Sequence, residues 1–338
     1  MNDLNDKTVF ITGGTGSLGK KYVTFLLEQF PLIKSVIVYS RDEYKQYQFK
    51  NSLSEDQRKK VTFVLGDIRD LPHLTQSLKG VDYVLHTAAL KHVTVGEENP
   101  SEFIKTNIIG SENLIHACIS AGVKKVVAMS TDKAVAPLSL YGSTKLCADK
   151  LFIAAGNKNQ DTIFSVVRFG NLLGSRGSVL SHFIAKAKEG VIPVTDERMT
   201  RFHIDYVDLI QLIMLAFNSA QGGEIYIPKL ASYKITDLAK AVDEDAKIEF
   251  VGIRPGEKIH EELIHNADSS NVLELENYYI VMPPNKGIND MKHLDKYKPV
   301  KIHQSLSYSS DVNTQWLDSE DLRGIIKSEI HQVVDIRK

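Results

Sequence analysis

Residues 130–145, STDKAVAPLSLYGSTK, gather side chains that can carry acid–base chemistry. Tyr141 and Lys145 stand four apart, which on a helix places them on one face. A lysine ammonium beside a phenol stabilises the phenolate and lowers its pKa, so the tyrosine becomes a base usable near neutrality. Given a hydride acceptor, this pair can supply the base for oxidising an alcohol. Asp132 and Lys133, just upstream, add a second acid and base. They suit a reaction in which a new ketone acidifies a neighbouring C–H: one group removes that hydrogen while the other protonates a departing hydroxyl. Without such a role the two are a salt bridge at a strand end.

The elements that must hold these residues can be read from the apolar pattern. TVFITGG, SVIVYS, VTFVLGD, YVLHTAA, KVVAMST and IFSVVRFG are short apolar runs, mostly separated by helix-like segments. Continuous apolar strands alternating with helices predict a parallel sheet covered on both faces, and right-handed crossovers make it doubly wound. Doubly wound sheets bind ligands at the C-terminal ends of their strands, and VVAMST delivers Asp132 and Lys133 to such an end. Beyond residue 170 the alternation fades. YVDLIQLIMLAFNSA reads as a helix, GGEIYIPK as a strand, and the remainder as irregular, with Pro283, Pro284 and NKGINDMKH in a loop. The expected organisation is a dinucleotide-binding domain at 1–170 plus about 202–228, and a smaller lobe at 171–201 plus about 229–338.

TGGTGSLGK sets Gly13, Gly16 and Gly19 three apart, after the first strand and at the opening of a helix, where backbone N–H groups can approach a pyrophosphate. Thr15, Ser17 and Leu18 lie in the same loop. At the end of the second strand an acidic residue would select NAD. The sequence has Ser40 and Arg41 there, followed by Asp42, Lys45 and Gln46. A hydroxyl and a guanidinium suit a 2′-phosphate, so NADP is expected, with Asp42 the dissenting residue. The alternative is a solvated basic patch.

The 338 residues contain 41 Lys plus Arg against 42 Asp plus Glu, a balance that points away from nucleic acid and anionic membranes. Cys118 and Cys147 cannot form a disulfide framework and have no companions at metal-ligand spacing, so no metal is expected and a reducing cytoplasm is the expected compartment. No signal peptide and no apolar run of about 20 residues is present.

GxxGxxG with YxxxK resembles the extended short-chain dehydrogenase/reductases. In order along the chain, YSRDEYKQ, GDIRDL, AALKHV, NPSEFIKTNIIGSENLI, STDKAVAPLSLYGSTKLCADKLF, VVRFGNLLGSRGSV and GIRPGEKIHEELI resemble the inverting UDP-N-acetylglucosamine 4,6-dehydratases over nearly the full length. The resemblance implies a Rossmann-like α/β fold with a C-terminal substrate-binding lobe, a homo-oligomer, and catalysis by Asp132, Lys133 and Tyr141, with Lys145 in support and Thr131 at the accompanying hydroxyl position. It implies cofactor contacts from Asp67 and Ile68 and from Thr87, Ala88, Ala89 and Lys91. UDP-sugar contacts would come from Lys91, Asn171, Arg176, Thr195, Arg254 and Glu257. It further implies C-4 oxidation, C-5/C-6 elimination of water and inversion at C-5, as the first step of pseudaminic acid biosynthesis. The sequence departs from the family pattern at Thr94 (usually Pro), Ser143 (usually Ala) and His203 (usually Trp). Thr94 and His203 fall near the expected sugar pocket and bear on which hexose fits. A UDP-sugar 4-epimerase, a dehydratase for another nucleotide sugar, and a non-enzymatic NADP sensor are the rival readings; the last would have no need of both Tyr141 and Lys145.

Overall fold

A computed structural model describes residues 4–159, 161–175, 177–283, 286, 294–295, 297–302 and 305–335, with side chains through 328. Six parallel strands form the first half: β1 (Thr8–Thr12), β2 (Ser35–Ser40), β3 (Val61–Leu65), β4 (Tyr83–His86), β5 (Lys125–Met129) and β6 (Ile163–Val167). Their spatial order is 3-2-1-4-5-6. Val9 of β1 pairs with Val36 of β2 on one side and Tyr83 of β4 on the other. Every residue of β1 and β4 is buried. This accounts for the unbroken apolar runs, because a strand covered on both faces has no solvent side to mark with polar residues.

The strand Ile225–Pro228 continues the sheet parallel to β6. The helix Tyr206–Ser219 leads into it and packs on β5, β6 and this strand, burying ten residues that include Leu209, Leu212, Ile213 and Phe217. A helix apolar on nearly all sides belongs in a core. Each fully buried Leu or Phe there contributes about 1.5–3 kcal/mol relative to exposure.

The stretch read from sequence as irregular is more regular than expected. Tyr278–Val281, Val272–Glu274 and Val300–Lys301 extend the same sheet in antiparallel fashion to ten strands. Segments of two to four residues are too short to show an alternation, and their pairing comes from the sheet edge they join. Pro284 and nearly all of NKGINDMKH lie outside the described residues.

A second hydrophobic cluster gathers Leu180, Phe183, Ile192, Tyr233, Leu238 and Leu322. Around it run the helices Val179–Ala187 and Ile235–Val242 and a small sheet of Asn171–Leu172, Thr200–Ile204 and Ser232–Lys234. Among the described residues no helix is long and apolar enough to cross a membrane.

Candidate active site

β5 ends against β6, with Ser130 N donating to Val167 O at 2.7 Å and Asp132 N to Phe169 O at 3.0 Å. The chain then makes a single 3-10 turn, Asp132–Ala134, whose cap is the Thr131 side chain. The helix Leu140–Lys158 starts at Ser139, whose hydroxyl accepts from Gly142 N at 3.1 Å. Gly142 lies against the Lys133 carbonyl so closely that any Cβ would collide with it. That approach brings Tyr141 beside Asp132 and Lys133.

Tyr141 is buried, which pushes its phenol up to about 12 despite the Lys133 charge and the Thr131 hydroxyl, which pull it down; Asp132 and Asp149 add to the rise. Lys145 donates to Met129 O at 2.8 Å, and burial lowers its own pKa against the pull of Asp149. The cation that pulls most on the Tyr141 phenol is Lys133.

Lys133 Nζ lies 3.1 Å from Asp132 Oδ1 and 2.9 Å from Glu261 Oε1, and Arg201 Nε is 3.7 Å from that same Glu261 oxygen. Thr131 donates to Asp132 Oδ1 at 2.8 Å. Burial first, and then Glu261, raise the Asp132 pKa, so this carboxyl is disposed to hold a proton. Burial works against the Lys133 charge, yet Asp132 and Glu261 outweigh it and hold the amine protonated. Burial likewise opposes the Glu261 charge, and Lys133 and Arg201 prevail. Among the described residues Asp132 Oδ2 and Glu261 Oε2 are buried without a hydrogen-bond partner. Glu261 was not identified from the sequence. Its only signal is a carboxylate within GIRPGEKIHEELI, beside the two residues of that motif that were identified.

After β1, Gly13 has φ +65° and a Cβ there would lie 2.8 Å from Ala88 N and 2.9 Å from Thr87 Oγ1. Glycine lets the loop lie against the end of β4, where Thr87 and Ala88 are held by Thr12. Gly16 caps the helix Ser17–Gln29 without a side-chain acceptor, leaving that end suited to an anion, with Ser17, Leu18 and Gly19 in its first turn and Thr15 buried beside it. Ser40 is buried and its hydroxyl accepts from Gln46 Nε2 at 3.0 Å. Asp42 caps the helix Glu43–Ser52, accepting from Lys45 N at 2.9 Å, and pairs with the Lys45 ammonium. The dissenting acid thus has a structural partner. Arg41 remains half exposed, 3.6 Å from Asp67. Burial opposes the Asp67 charge, but Arg69 and Arg41 hold the carboxyl below its ordinary range, and Ile68 beside it is buried. Ala89 and Lys91 follow in the loop after β4. The Lys91 side chain is exposed overall, yet desolvation of its ammonium and then the Lys133 charge lower its pKa.

In the small sheet Asn171 pairs with His203 across two strands. His203 Nδ1 is buried without a partner among the described residues, and burial lowers the ring to about 4, with Asp205 opposing. A neutral ring in the position of an aromatic residue fits a wall of the site better than a proton carrier. Asn171 lies near the buried Tyr233 hydroxyl, which burial pushes up to about 12, although no well-formed hydrogen bond joins them. Thr195 follows the strand Val191–Val194. Arg254 and Glu257 form a turn of their own, paired at 3.9 Å, with the guanidinium half exposed. Arg176 lies outside the described residues.

Comparison with known proteins adds to this geometry. The family model described as polysaccharide biosynthesis protein matches residues 9–283. The UDP-N-acetylglucosamine 4,6-dehydratase (inverting) of Campylobacter jejuni subsp. jejuni serotype O:23/36 (strain 81-176) is 45% identical over 95% of this chain and 98% of its own. A UDP-glucose 4-epimerase of Rickettsia akari (strain Hartford) is 37% identical over 95% of both chains. Pen from Bacillus thuringiensis superposes with a TM-score of 0.87 at 36% identity, covering 97% of this chain and 99% of that one. DesIV of Streptomyces venezuelae, a dTDP-glucose 4,6-dehydratase with NAD bound, gives 0.66 at 25% identity over 75% and 86%. With a family model spanning most of its length and a dehydratase matched nearly end to end, the chain belongs to the polysaccharide biosynthesis protein family, within the extended short-chain dehydrogenase/reductases.

Proposed function

We propose that the protein is a nicotinamide-dependent UDP-N-acetylglucosamine 4,6-dehydratase that inverts C-5, yielding UDP-2-acetamido-2,6-dideoxy-β-L-arabino-hex-4-ulose as the first step of pseudaminic acid biosynthesis. The observation that carries it is the buried Asp132 paired with a partly buried Lys133 beside Tyr141, in a chain 45% identical to an inverting dehydratase. The glycine cradle at Gly13 and the uncapped helix start at Gly16 fit a dinucleotide. When bound, the nicotinamide supplies a reversible two-electron oxidation, taking hydrogen from C-4 and giving it back at C-6. Tyr141 takes the C-4 hydroxyl proton, with Lys145 beneath it on the same helix. Lys133 removes the C-5 proton, acidified by the 4-ketone, and Asp132 protonates the C-6 hydroxyl so that water leaves. Reprotonation of C-5 from the opposite face inverts that centre. Asn171, Thr195, Arg254, Glu257 and Arg176 are assigned to the UDP-sugar, arginines suiting a diphosphate because they pair bidentately with its oxygens. The division into a cofactor domain and a sugar-binding lobe belongs to the same reading.

We assign NADP as the cofactor, on Ser40 and Arg41. Arg41→Asp is expected to weaken NADP binding by about 2 kcal/mol while leaving NAD binding nearly unchanged, through loss of a charge-assisted hydrogen bond and added repulsion. Titration with both cofactors checks this; equal losses would remove the assignment.

The epimerase reading draws on the Rickettsia relative, but it leaves Lys133 without a task. The two separate in one experiment: incubation with UDP-N-acetylglucosamine in deuterated water, with no added reductant, followed by NMR. A 4-keto-6-deoxy product with deuterium at C-5 and none gained at C-6 is expected. A C-4 epimer retaining its C-6 hydroxyl would overturn the dehydratase reading.

A further inference from the structure

Lys133 must be neutral to accept a proton from carbon, yet it sits between two carboxylates that favour its charged form. Asp132 is its chain neighbour. Glu261 comes from a distant segment of the second lobe and is the closer of the two, at 2.9 Å. Its backbone is fixed from behind: Glu261 N donates to Ser310 Oγ at 2.9 Å and Ser310 N donates to Glu261 O at 2.8 Å. Ser310 Oγ is in turn 2.7 Å from Thr200 Oγ1. Arg201, next along that strand, spends its terminal nitrogens on the carbonyls of Thr200, Ile259 and Lys258, at 2.7, 2.9 and 3.0 Å. The carboxylate therefore has little freedom to turn away.

We propose that Glu261 is a positioning residue for Lys133, orienting its Nζ at the catalytic turn and governing how readily the amine gives up its proton. The assignment rests on the dehydratase reading, in which Lys133 takes the C-5 proton. A purely structural ion pair would use both oxygens of a carboxylate this deeply buried. Here Oε2 has no partner among the described residues, a costly arrangement for a lobe strut. The charged and titratable groups around Lys133 are Asp132 on its own turn, Glu261 and Lys258 from the segment after Arg254, Arg201 from the small sheet, Tyr141 from the helix, Tyr233, and Lys91 across the cleft. Only Asp132 and Glu261 add anionic pull, and burial disposes Asp132 to hold a proton. Glu261, the closer of the two at 2.9 Å, is the counter-charge that the turn does not itself supply.

The sign follows directly. An anion this close favours the ammonium, so activity limited by neutral Lys133 rises with pH, and removing the anion moves that rise to lower pH. Glu261→Gln is expected to shift the rising limb of the kcat–pH profile down by about 1–3 pH units. Glu261→Asp, which keeps the charge but withdraws it by one methylene, should shift it less and recover part of the maximal rate. In both, reduction of bound cofactor on mixing with UDP-N-acetylglucosamine should persist, since C-4 oxidation is served by Tyr141. An unmoved limb in Glu261→Gln overturns the proposal. So does failure of both variants to fold by circular dichroism, which would make the carboxylate a strut of the lobe. If the wild-type protein makes no 4-keto-6-deoxy sugar, the dehydratase reading itself fails, a result separate from either.

Discussion

Lys133→Ala is expected to stop the protein part-way through its cycle. Oxidation at C-4 depends on Tyr141, whose hydroxyl the substitution leaves in place, so mixing with substrate should still generate the absorbance of a reduced nicotinamide, though more slowly, because the Lys133 charge that eases ionisation of the phenol is gone. Elimination needs a base at C-5, and none remains at that position, so the reduced cofactor and a sugar with its C-6 hydroxyl intact should persist together. Loss of a general base lowers the rate by about 10²–10⁴. The variant also leaves Asp132 and Glu261 buried without the ammonium that lies 3.1 and 2.9 Å from them. Thermal unfolding must therefore accompany the kinetics, to separate a lost base from a loosened site. Asp132→Asn should accumulate the same species, because the leaving hydroxide would lack its proton donor. Near-normal dehydration by Lys133→Ala would return the pair to a salt bridge at the end of β5.

Tyr141→Phe should fail earlier and differently. The ring stays, edge-on to Phe103 with centroids 6.5 Å apart, so the packing of the helix Leu140–Lys158 is preserved. Only the hydroxyl is lost, and with it the acceptor for the C-4 proton. No reduced nicotinamide and no keto sugar should appear on mixing, with a rate loss again of about 10²–10⁴. Substrate binding, measured by calorimetry, should change little. Because burial holds the phenol at about 12, ionising it depends on cations near the ring. Full accumulation of reduced cofactor in Tyr141→Phe would assign the first proton transfer to another group.

The parallel half of the fold was legible because its inner strands, β1 and β4 above all, are buried on both faces and print their burial as uninterrupted apolar runs. The glycine loop was legible because close approach of Gly13 to Thr87 and Ala88 excludes any side chain. The antiparallel edge was not: Val272–Glu274 and Val300–Lys301 are held by the neighbour they pair with, and their own composition carries too few residues to state a period. Within the site, Asp132, Lys133 and Tyr141 could be grouped from one segment, since a turn and the first turn of a helix bring them together. Glu261 could not, because its closeness to Lys133 exists only after segments far apart in the sequence have packed. The partner of the Lys145 ammonium is hidden from the sequence for a related reason. Spacing puts Lys145 on the same helix face as Tyr141, but the Lys145 ammonium is satisfied by the Met129 carbonyl, a contact that depends on where β5 ends.

The two hydrogen bonds between Glu261 and Ser310 have a consequence for the order in which the protein is made. Synthesis runs from the N-terminus and early segments can fold first, so β1 to β6 and the turn at Asp132–Ala134 can be assembled before most of the remaining chain has been made. Until Ser310 emerges, Glu261 lacks its backbone support and Lys133 lacks its second carboxylate. A nascent chain thus carries a nearly finished nucleotide cleft and an unfinished acid–base centre, and the last part of translation is what turns the one into the other.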